Sequence, residues 1–299
     1  MGPTSHPTFE TGALLGVGYM GGSLALAARQ AGCVKHVVGY DLDPAAGLPA
    51  MAKGVVDRMA ASPEAAVADA HLVILAAPVG SLGALARQMA SALRPDCLVI
   101  DIGSVKSRVI ADVKGALPPE VGFVGCHPLA GLEATGVAAA TGDLYAAKPC
   151  LVCTDGARPA DVERAFALWE AVGAKPVRAE ARSHDAFMAA ASHLPHVAAF
   201  ALAHALAPQA EALVQAMPAG ASPTSLRDTT RIAASSPAVW RDIFLANKPH
   251  LMPLVDALST SLGLLRDALE REDAVALAEL LGVARAARRT LVDDGARRS

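Results

Sequence analysis

The stretch LLGVGYMGGSLA, residues 14–25, limits what this chain can fold into more than any other part of it. It sets Gly16-x-Gly18-x-x-Gly21 between an apolar strand-like run, ALLGVG (13–18), and an Ala/Leu-rich run of helical length. In a strand–turn–helix unit the three glycines have separate tasks. The first makes the tight turn, the second lets a pyrophosphate approach the backbone, and the third lets helix and strand pack closely. The phosphates then rest on the N-terminus of the following helix, where free N–H groups and the dipole favour negative charge. A second strand, HVVGYD (36–41), ends on Asp41, twenty residues past Gly21. A carboxylate there accepts hydrogen bonds from ribose hydroxyls and repels a 2′-phosphate, which favours NAD over NADP. Cofactor contacts are assigned to Gly16, Gly18, Tyr19, Met20, Gly21 and Asp41, and to Ala77, Pro78 and Val79 of AAPV after the next strand. The bland alternative is a glycine-rich turn in an unrelated α/β protein. The order strand, turn, helix, strand, acid argues against it.

HLVILAAP (71–78), CLVIDIGS (97–104), VGFVGCHP (121–128) and CLVCTD (150–155) read as further strands, most of them separated by Ala-rich stretches of helical length. Near-continuous Val/Ile/Leu strands alternating with helices specify a parallel sheet covered on both faces. After GAKPVRAE (173–180) the chain turns to long Ala/Leu helical patterns, broken by the loop MPAGASPTS (217–225). The expected architecture is α/β: a Rossmann-type doubly wound parallel sheet over residues 10–181, then an all-helical domain over 182–299. A chain of 299 residues has room for both.

Net charge is −3 and no basic stretch is interleaved with aromatics, so nucleic acid is not an expected partner. The N-terminus lacks a charged segment followed by an apolar one, so no secretion signal is read. No uncharged apolar run is expected to reach the ~20 residues of a membrane span. Five cysteines without an export signal point to reduced thiols and a cytoplasmic location. Cys150 and Cys153 match C-x-x-C, but on a strand positions three apart face opposite sides, which suits two small core residues better than a redox or zinc pair.

Ligands of such sheets bind outside the carboxyl ends of the strands. Ser104 and Lys106 in DIGSVKS follow one strand end, and His127 in GCHPLAG follows the next, with Pro128 turning the chain away. An imidazole at that edge, with an ordinary pKa of ~6.5, suits proton acceptance near neutral pH. Its alternative is a satisfied structural histidine. ASHLPHVAAF (191–200) puts His193 and His196 three residues apart in an apolar helical run. Zinc would need two further ligands, and no Glu follows His193 as in H-E-x-x-H, so no metal is expected. With Ser192 as a cap and Pro195 in the first turn, the segment starts or kinks a helix, leaving both imidazoles near a helix N-terminus suited to a carboxylate. Arg231, within RDTTRIAASSPAVWRDIF (227–244), either grips a carboxylate bidentately or is paired at the surface.

Seven segments, in order, resemble the prephenate/arogenate (cyclohexadienyl) dehydrogenase family, the TyrA-type enzymes of tyrosine biosynthesis. They are GVGYMGGSLA, GYD, AAPV, DIGSVKS, HPLAG, SHDAFMAAASHLPH and DTTRIAASSPAVWRDIF, and they span about residues 12–250. The resemblance implies a Rossmann domain followed by a helical domain that forms a homodimer. It also implies NAD-dependent oxidative decarboxylation of prephenate to 4-hydroxyphenylpyruvate, or of arogenate to tyrosine. His127 matches the family's catalytic histidine, which takes the ring-hydroxyl proton while hydride leaves for the nicotinamide. Ser104 matches the serine that bonds this histidine and the hydroxyl. His196, with His193 beside it, matches a substrate-site histidine, and Arg231 the arginine that holds a substrate carboxylate.

The chain departs from the pattern after HPLAG, where Leu132, followed by Glu133, stands in place of the small polar residue of many relatives, and at SPTSLRD (222–228), where relatives often carry a Gly-rich stretch. Glu133 either pairs with an arogenate ammonium or is solvated. A β-hydroxyacid dehydrogenase with the same plan would by resemblance use a helical-domain Lys, and residues 183–247 contain none. A non-catalytic NAD-binding sensor would need the loop, but not a His, a Ser and an Arg converging on the nicotinamide edge.

Overall fold

The computed structural model describes residues 7–130, 134–218, 221 and 223–294. Eight strands form one sheet: β1 Phe9–Leu15, β2 Val34–Tyr40, β3 Arg58–Met59, β4 Leu72–Leu75, β5 Leu98–Asp101, β6 Gly122–Pro128, β7 Pro149–Cys153 and β8 Lys175–Ala179. Their order across the sheet is β3-β2-β1-β4-β5-β6-β7-β8. The chain winds one way from β1 to β3 and the other way from β4 onward, so a crevice opens between the carboxyl ends of β1 and β4. β4, β5 and β6 are buried along their whole length, as strands covered on both faces must be.

Helices α1 Tyr19–Gln30, α2 Gly47–Ala52, α3 Pro63–Val67, α4 Leu82–Met89, α5 Ser107–Lys114 and α6 Pro159–Ala171 connect these strands. Successive strand residues feed opposite layers. Leu14 and Ile100 pack with Leu24 and Trp169 on one face, while Leu15 and Val99 pack with Met89 and Phe123 on the other. α1 can lie close to the sheet because its buried face is largely small: Gly21, Gly22, Ala25 and Ala28.

The sheet departs from the all-parallel expectation at one place. β7 pairs antiparallel with β6, with His127 opposite Leu151 and Pro128 opposite Cys150. Between the two strands the described chain contains only the 3-10 turn Val137–Ala139 and no crossover α-helix. The chain therefore re-enters the sheet from the edge at which it left. Cys150 and Cys153 lie on β7, both buried, and all five cysteines are free.

From Ala181 onward the described residues contain helices and no strand: α7 Ala181–Met188, α8 Leu194–Leu206, α9 Ala210–Gln215, α10 Thr224–Thr230, α11 Pro237–Ala246, α12 Lys248–Glu270 and α13 Ala274–Arg288. A π-helical turn, Ala189–His193, joins α7 directly to α8. Pro195 lacks the N–H that would continue the α ladder, and the wider turn just before it absorbs that interruption. Of the two expectations, a helix start is not what the segment makes: the helix runs on through it with the π turn and Pro195 as its irregularity, and Ser192 is not a cap. The run-length expectation also needs correction. The helical stretch Ala181–Gln215 is long and apolar enough to cross a membrane by length and composition, and only 6% of its most apolar window is buried.

By packing, the chain divides into two compact units, Met1–Lys248 and Pro249–Ser299. The first holds the sheet together with α7–α11. Within the second, α12 and α13 flank an apolar groove of about 560 Å³ lined by Leu264, Leu265, Leu280 and Ala284.

At Gly21 an added Cβ would lie 2.5 Å from the Ala76 Cβ and 2.8 Å from the Gly16 carbonyl oxygen, whereas at Gly18 it would meet nothing within 4 Å. Gly21→Ala is therefore expected to cost about 1–3 kcal/mol of stability by overpacking. Gly18→Ala should change it by less than about 0.5 kcal/mol. Urea unfolding of the two variants checks this.

Candidate active site

The phosphate loop has a form that follows from its glycines. Gly16 takes a φ of +97° and lies so close to the Ala76–Ala77 backbone that a Cβ would come within 2.6 Å of it. Gly18 precedes α1 with no side-chain cap, so the first N–H groups of the helix face outward without a side-chain acceptor. Asp41, just beyond β2, accepts the Val17 N–H at 2.6 Å through one carboxylate oxygen and the Asp43 N–H at 2.9 Å through the other. Its charge is thereby fixed against the loop.

Two cavities follow this edge of the sheet. The first, about 310 Å³, is lined by Gly16, Gly18, Tyr40, Asp41, Ala77 and Pro78. The second, about 230 Å³, is lined by Met20, Pro78, Val79, Ser104, Val239 and Ile243. Gly16, Gly18, Met20, Asp41, Ala77, Pro78 and Val79 thus meet in one cleft. Tyr19 is buried and lines neither cavity; what it can offer is its backbone N–H in the first turn of α1.

His127 lies on β6 with its ring almost wholly buried. Its Nδ1 is 2.8 Å from Nε2 of His184 on α7, and His184 Nδ1 is 2.8 Å from the Asp185 carboxylate. That carboxylate also accepts the N–H groups of Lys106 and Ser107, each at 2.8 Å, at the start of α5. Lys106 is fully buried, and its ammonium donates to Asp101 and, at 2.6 Å, to the Cys126 carbonyl. Burial holds the His127 imidazole well below its ordinary value, and the nearby Lys106 cation adds to this. Burial pushes Asp185 up, but the hydrogen bonds from His184, Lys106 and Ser107 outweigh it and leave the carboxyl at about 2. The site therefore joins an imidazole that burial keeps from charging, His127, to an ionised carboxylate, Asp185, with His184 between them.

Ser104 is half-buried in the cavity wall, and the described hydrogen bonds include none between its hydroxyl and His127. Among the described residues the His127 ring is engaged at Nδ1 by His184. His193 lies in the middle of the continuous helix rather than at an N-terminus. Its Nδ1 accepts from Asn247 at 3.0 Å, and the same amide group donates to the Asp185 carbonyl at 2.8 Å. His193 Nε2 is buried with no partner among the described residues. Three residues on, His196 bonds the Ser192 carbonyl through Nδ1 at 2.9 Å and stacks on Trp240, with ring centroids 3.4 Å apart. Arg231 is close enough to His196 to disfavour charge on it, after the larger effect of burial. Trp240 shares α11 with Val239 and Ile243 of the second cavity, so this helix links His196 to the cleft. Glu133 lies outside the described residues.

Sequence reasoning missed His184, Asp185 and Asn247. An adjacent His-Asp pair at the start of a helical segment was the available signal, but nothing in the spacing says that it faces residue 127.

Residues 24–178 match the family model described as prephenate dehydrogenase, nucleotide-binding domain, and residues 180–283 the one described as prephenate dehydrogenase, dimerization domain. The chain is 35% identical to the cyclohexadienyl dehydrogenase of Zymomonas mobilis, covering 96% of this chain and 97% of that protein. It is 34% identical to the prephenate dehydrogenase of Bacillus subtilis, covering 89% and 71%. The crystal structure of prephenate dehydrogenase from A. aeolicus in complex with hydroxyphenyl propionate and NAD+ has a TM-score of 0.79 at 30% identity, covering 94% of this chain and 98% of that one.

The buried imidazoles make stability depend on pH. Burial pushes His193 from its ordinary 6.5 down to about 4. Between those values the unfolded chain binds a proton that the folded chain refuses. Stability is therefore full above pH 6.5 and falls on acidification, by about 1.4 kcal/mol per pH unit for one proton. His127 acts in the same direction. Urea unfolding across this window should show the loss, and His193→Asn, which keeps an acceptor for Asn247, should show a shallower slope.

Proposed function

The chain belongs to the prephenate dehydrogenase family, and from that premise we propose that it carries out the NAD-dependent oxidative decarboxylation of prephenate to 4-hydroxyphenylpyruvate. It is a dehydrogenase of that family, with the family's nucleotide-binding and dimerization parts. We assign residues 10–181 to cofactor binding and 182–299 to substrate binding and dimerisation.

The residues present fit NAD. The open approach at Gly18, the uncapped start of α1 and the Asp41 carboxylate suit a pyrophosphate followed by an unphosphorylated ribose. Gly16, Tyr19 (through its N–H), Met20, Gly21, Ala77, Pro78 and Val79 complete the binding surface. When bound, NAD supplies the hydride acceptor.

One observation carries the reading: the His127 ring sits at the carboxyl end of β6, neutral, with Nδ1 engaged and Nε2 left for a proton. In this reading His127 Nε2 accepts the proton of the ring hydroxyl and Ser104 bonds the same oxygen. Arg231 and His196 hold a substrate carboxylate, and the His193 Nε2–H, without a partner among the described residues, offers a further donor. Loss of hydride and CO2 leaves an aromatic ring, so the protein's work is to position the ring, accept one proton and hold a dianion. Glu133 is kept as a candidate contact to the substrate side chain. A broader cyclohexadienyl specificity, including arogenate, is the second reading, favoured by the name of the Zymomonas relative.

We assign the working form to a cytoplasmic homodimer. α8 buries only Ala199 within its own chain, and Leu262, Leu281 and Val283 are exposed, which leaves apolar surface for a second copy. His184, Asp185 and His193 tie the apolar helical stretch into the folded site, which favours a subunit contact over a bilayer.

The test is formation of reduced nicotinamide with prephenate and with arogenate, each with NAD and NADP. Turnover of prephenate with NAD is expected. Turnover of arogenate alone would recast Glu133 as an ammonium partner, and no turnover would leave a nucleotide-binding protein of other function. His127→Asn should lower kcat by about 10²–10⁴ with little change in KM. Arg231→Gln should raise KM about 10- to 100-fold, equivalent to the ~1.5–3 kcal/mol of charged hydrogen bonds. An unchanged KM would make Arg231 structural.

A further inference from the structure

We propose that His184 and Asp185 are positioning residues that fix the tautomer of His127, leaving the lone pair on Nε2 and the hydrogen on Nδ1. The proposal rests on His127 being the proton acceptor, and it adds what makes the imidazole competent to act as one.

The N–H groups of Lys106 and Ser107 are fixed donors, and both end on the Asp185 carboxylate at 2.8 Å. An ionised carboxylate only accepts, so the contact at 2.8 Å from His184 Nδ1 to Asp185 requires the hydrogen to be on Nδ1. A neutral His184 then has a bare Nε2. Two ring nitrogens 2.8 Å apart share one hydrogen, so the one between His184 Nε2 and His127 Nδ1 belongs to His127. What remains on His127 is Nε2 without a hydrogen.

The opposite arrangement would need a doubly protonated His184. Its side chain has no exposure to solvent, and both of its ring nitrogens are taken up by Asp185 and His127. The remaining titratable group that acts on His127 is His193, which burial keeps neutral. A free neutral imidazole in water prefers its hydrogen on Nε2. Without His184 the majority form of His127 would therefore be the one that cannot take a proton.

The arrangement also serves the state after transfer. Once Nε2 gains its proton, His127 is a buried cation. Its Nδ1–H still reaches a carboxylate through one imidazole, so the new charge is compensated where it forms. The cost of failure falls on the reacting state and not on substrate binding.

The experiment combines nitrogen-15 NMR of ring-labelled histidines in the full-length protein with steady-state kinetics. In the parent, His127 and His184 should each carry hydrogen on Nδ1 and none on Nε2, with His127 identified by the signal missing in His127→Asn. His184→Phe, which keeps the ring volume and loses the acceptor, should move His127 toward the Nε2–H form and lower kcat by about 10²–10³ at little-changed KM. His184→Gln, whose amide oxygen can accept from His127 Nδ1, should regain most of that loss. A parent His127 with hydrogen on Nε2 overturns the proposal, even if both variants fail to fold. Parental kcat in His184→Phe beside an inactive His127→Asn removes the positioning role and leaves the base intact. Parental kcat in His127→Asn removes the base assignment and this role with it.

Discussion

The Asp185 carboxylate is the contact on which the rest of the site depends. Its two oxygens close the start of α5, which binds α7 to the edge of the sheet, and one of them also holds His184. Its backbone carbonyl receives the Asn247 amide that supports His193. One residue thus sets the positions of three imidazoles. A buried carboxylate is tolerable because three of the donors around it cannot turn away, two backbone N–H groups and a ring N–H, with the Ser107 side chain adding to them.

A second buried charge answers it. Lys106 follows directly from the loop that Asp185 caps, and its ammonium ends between Asp101 and the Cys126 carbonyl, one residue before His127. Removing either partner would leave an unpaired charge in the core, so the pair serves more to define geometry than to add net stability. Its effect on chemistry is indirect. A fixed cation in a dry site discourages a second one, and the imidazole of His127 waits uncharged.

The sheet was legible because its strands are near-continuous apolar runs and its first turn is written in glycines. The phosphate loop was legible residue by residue: the conformation of Gly16, the openness at Gly18 and the crowding at Gly21 each follow from the absence of a Cβ. The direction of β7 was not legible, since apolar strands read alike whichever way they run and only the missing crossover helix decides. Nor was the partner of His127. Ser104 sits three positions past its strand and was the nearer guess, but the bond comes from His184, 57 residues away, through an element whose docking depends on tertiary packing. His193 and His196 were visible as unusual; that one would be buried against an amide and the other stacked on Trp240 was not.

The π turn between α7 and α8 has a consequence for phase. In an unbroken α-helix at about 100° per residue, His184 and His193, nine positions apart, would point about 180° away from each other. One extra residue accommodated in a π turn subtracts about one step and brings them to about 80°. Both can then look toward Asp185 and Asn247, as they do. At Ala189–His193 the chain is therefore constrained in count more than in kind. Exchanging one alanine there for another small residue changes little, but deleting one would turn everything beyond it by a quarter-turn or more and carry His193 and His196 off their partners.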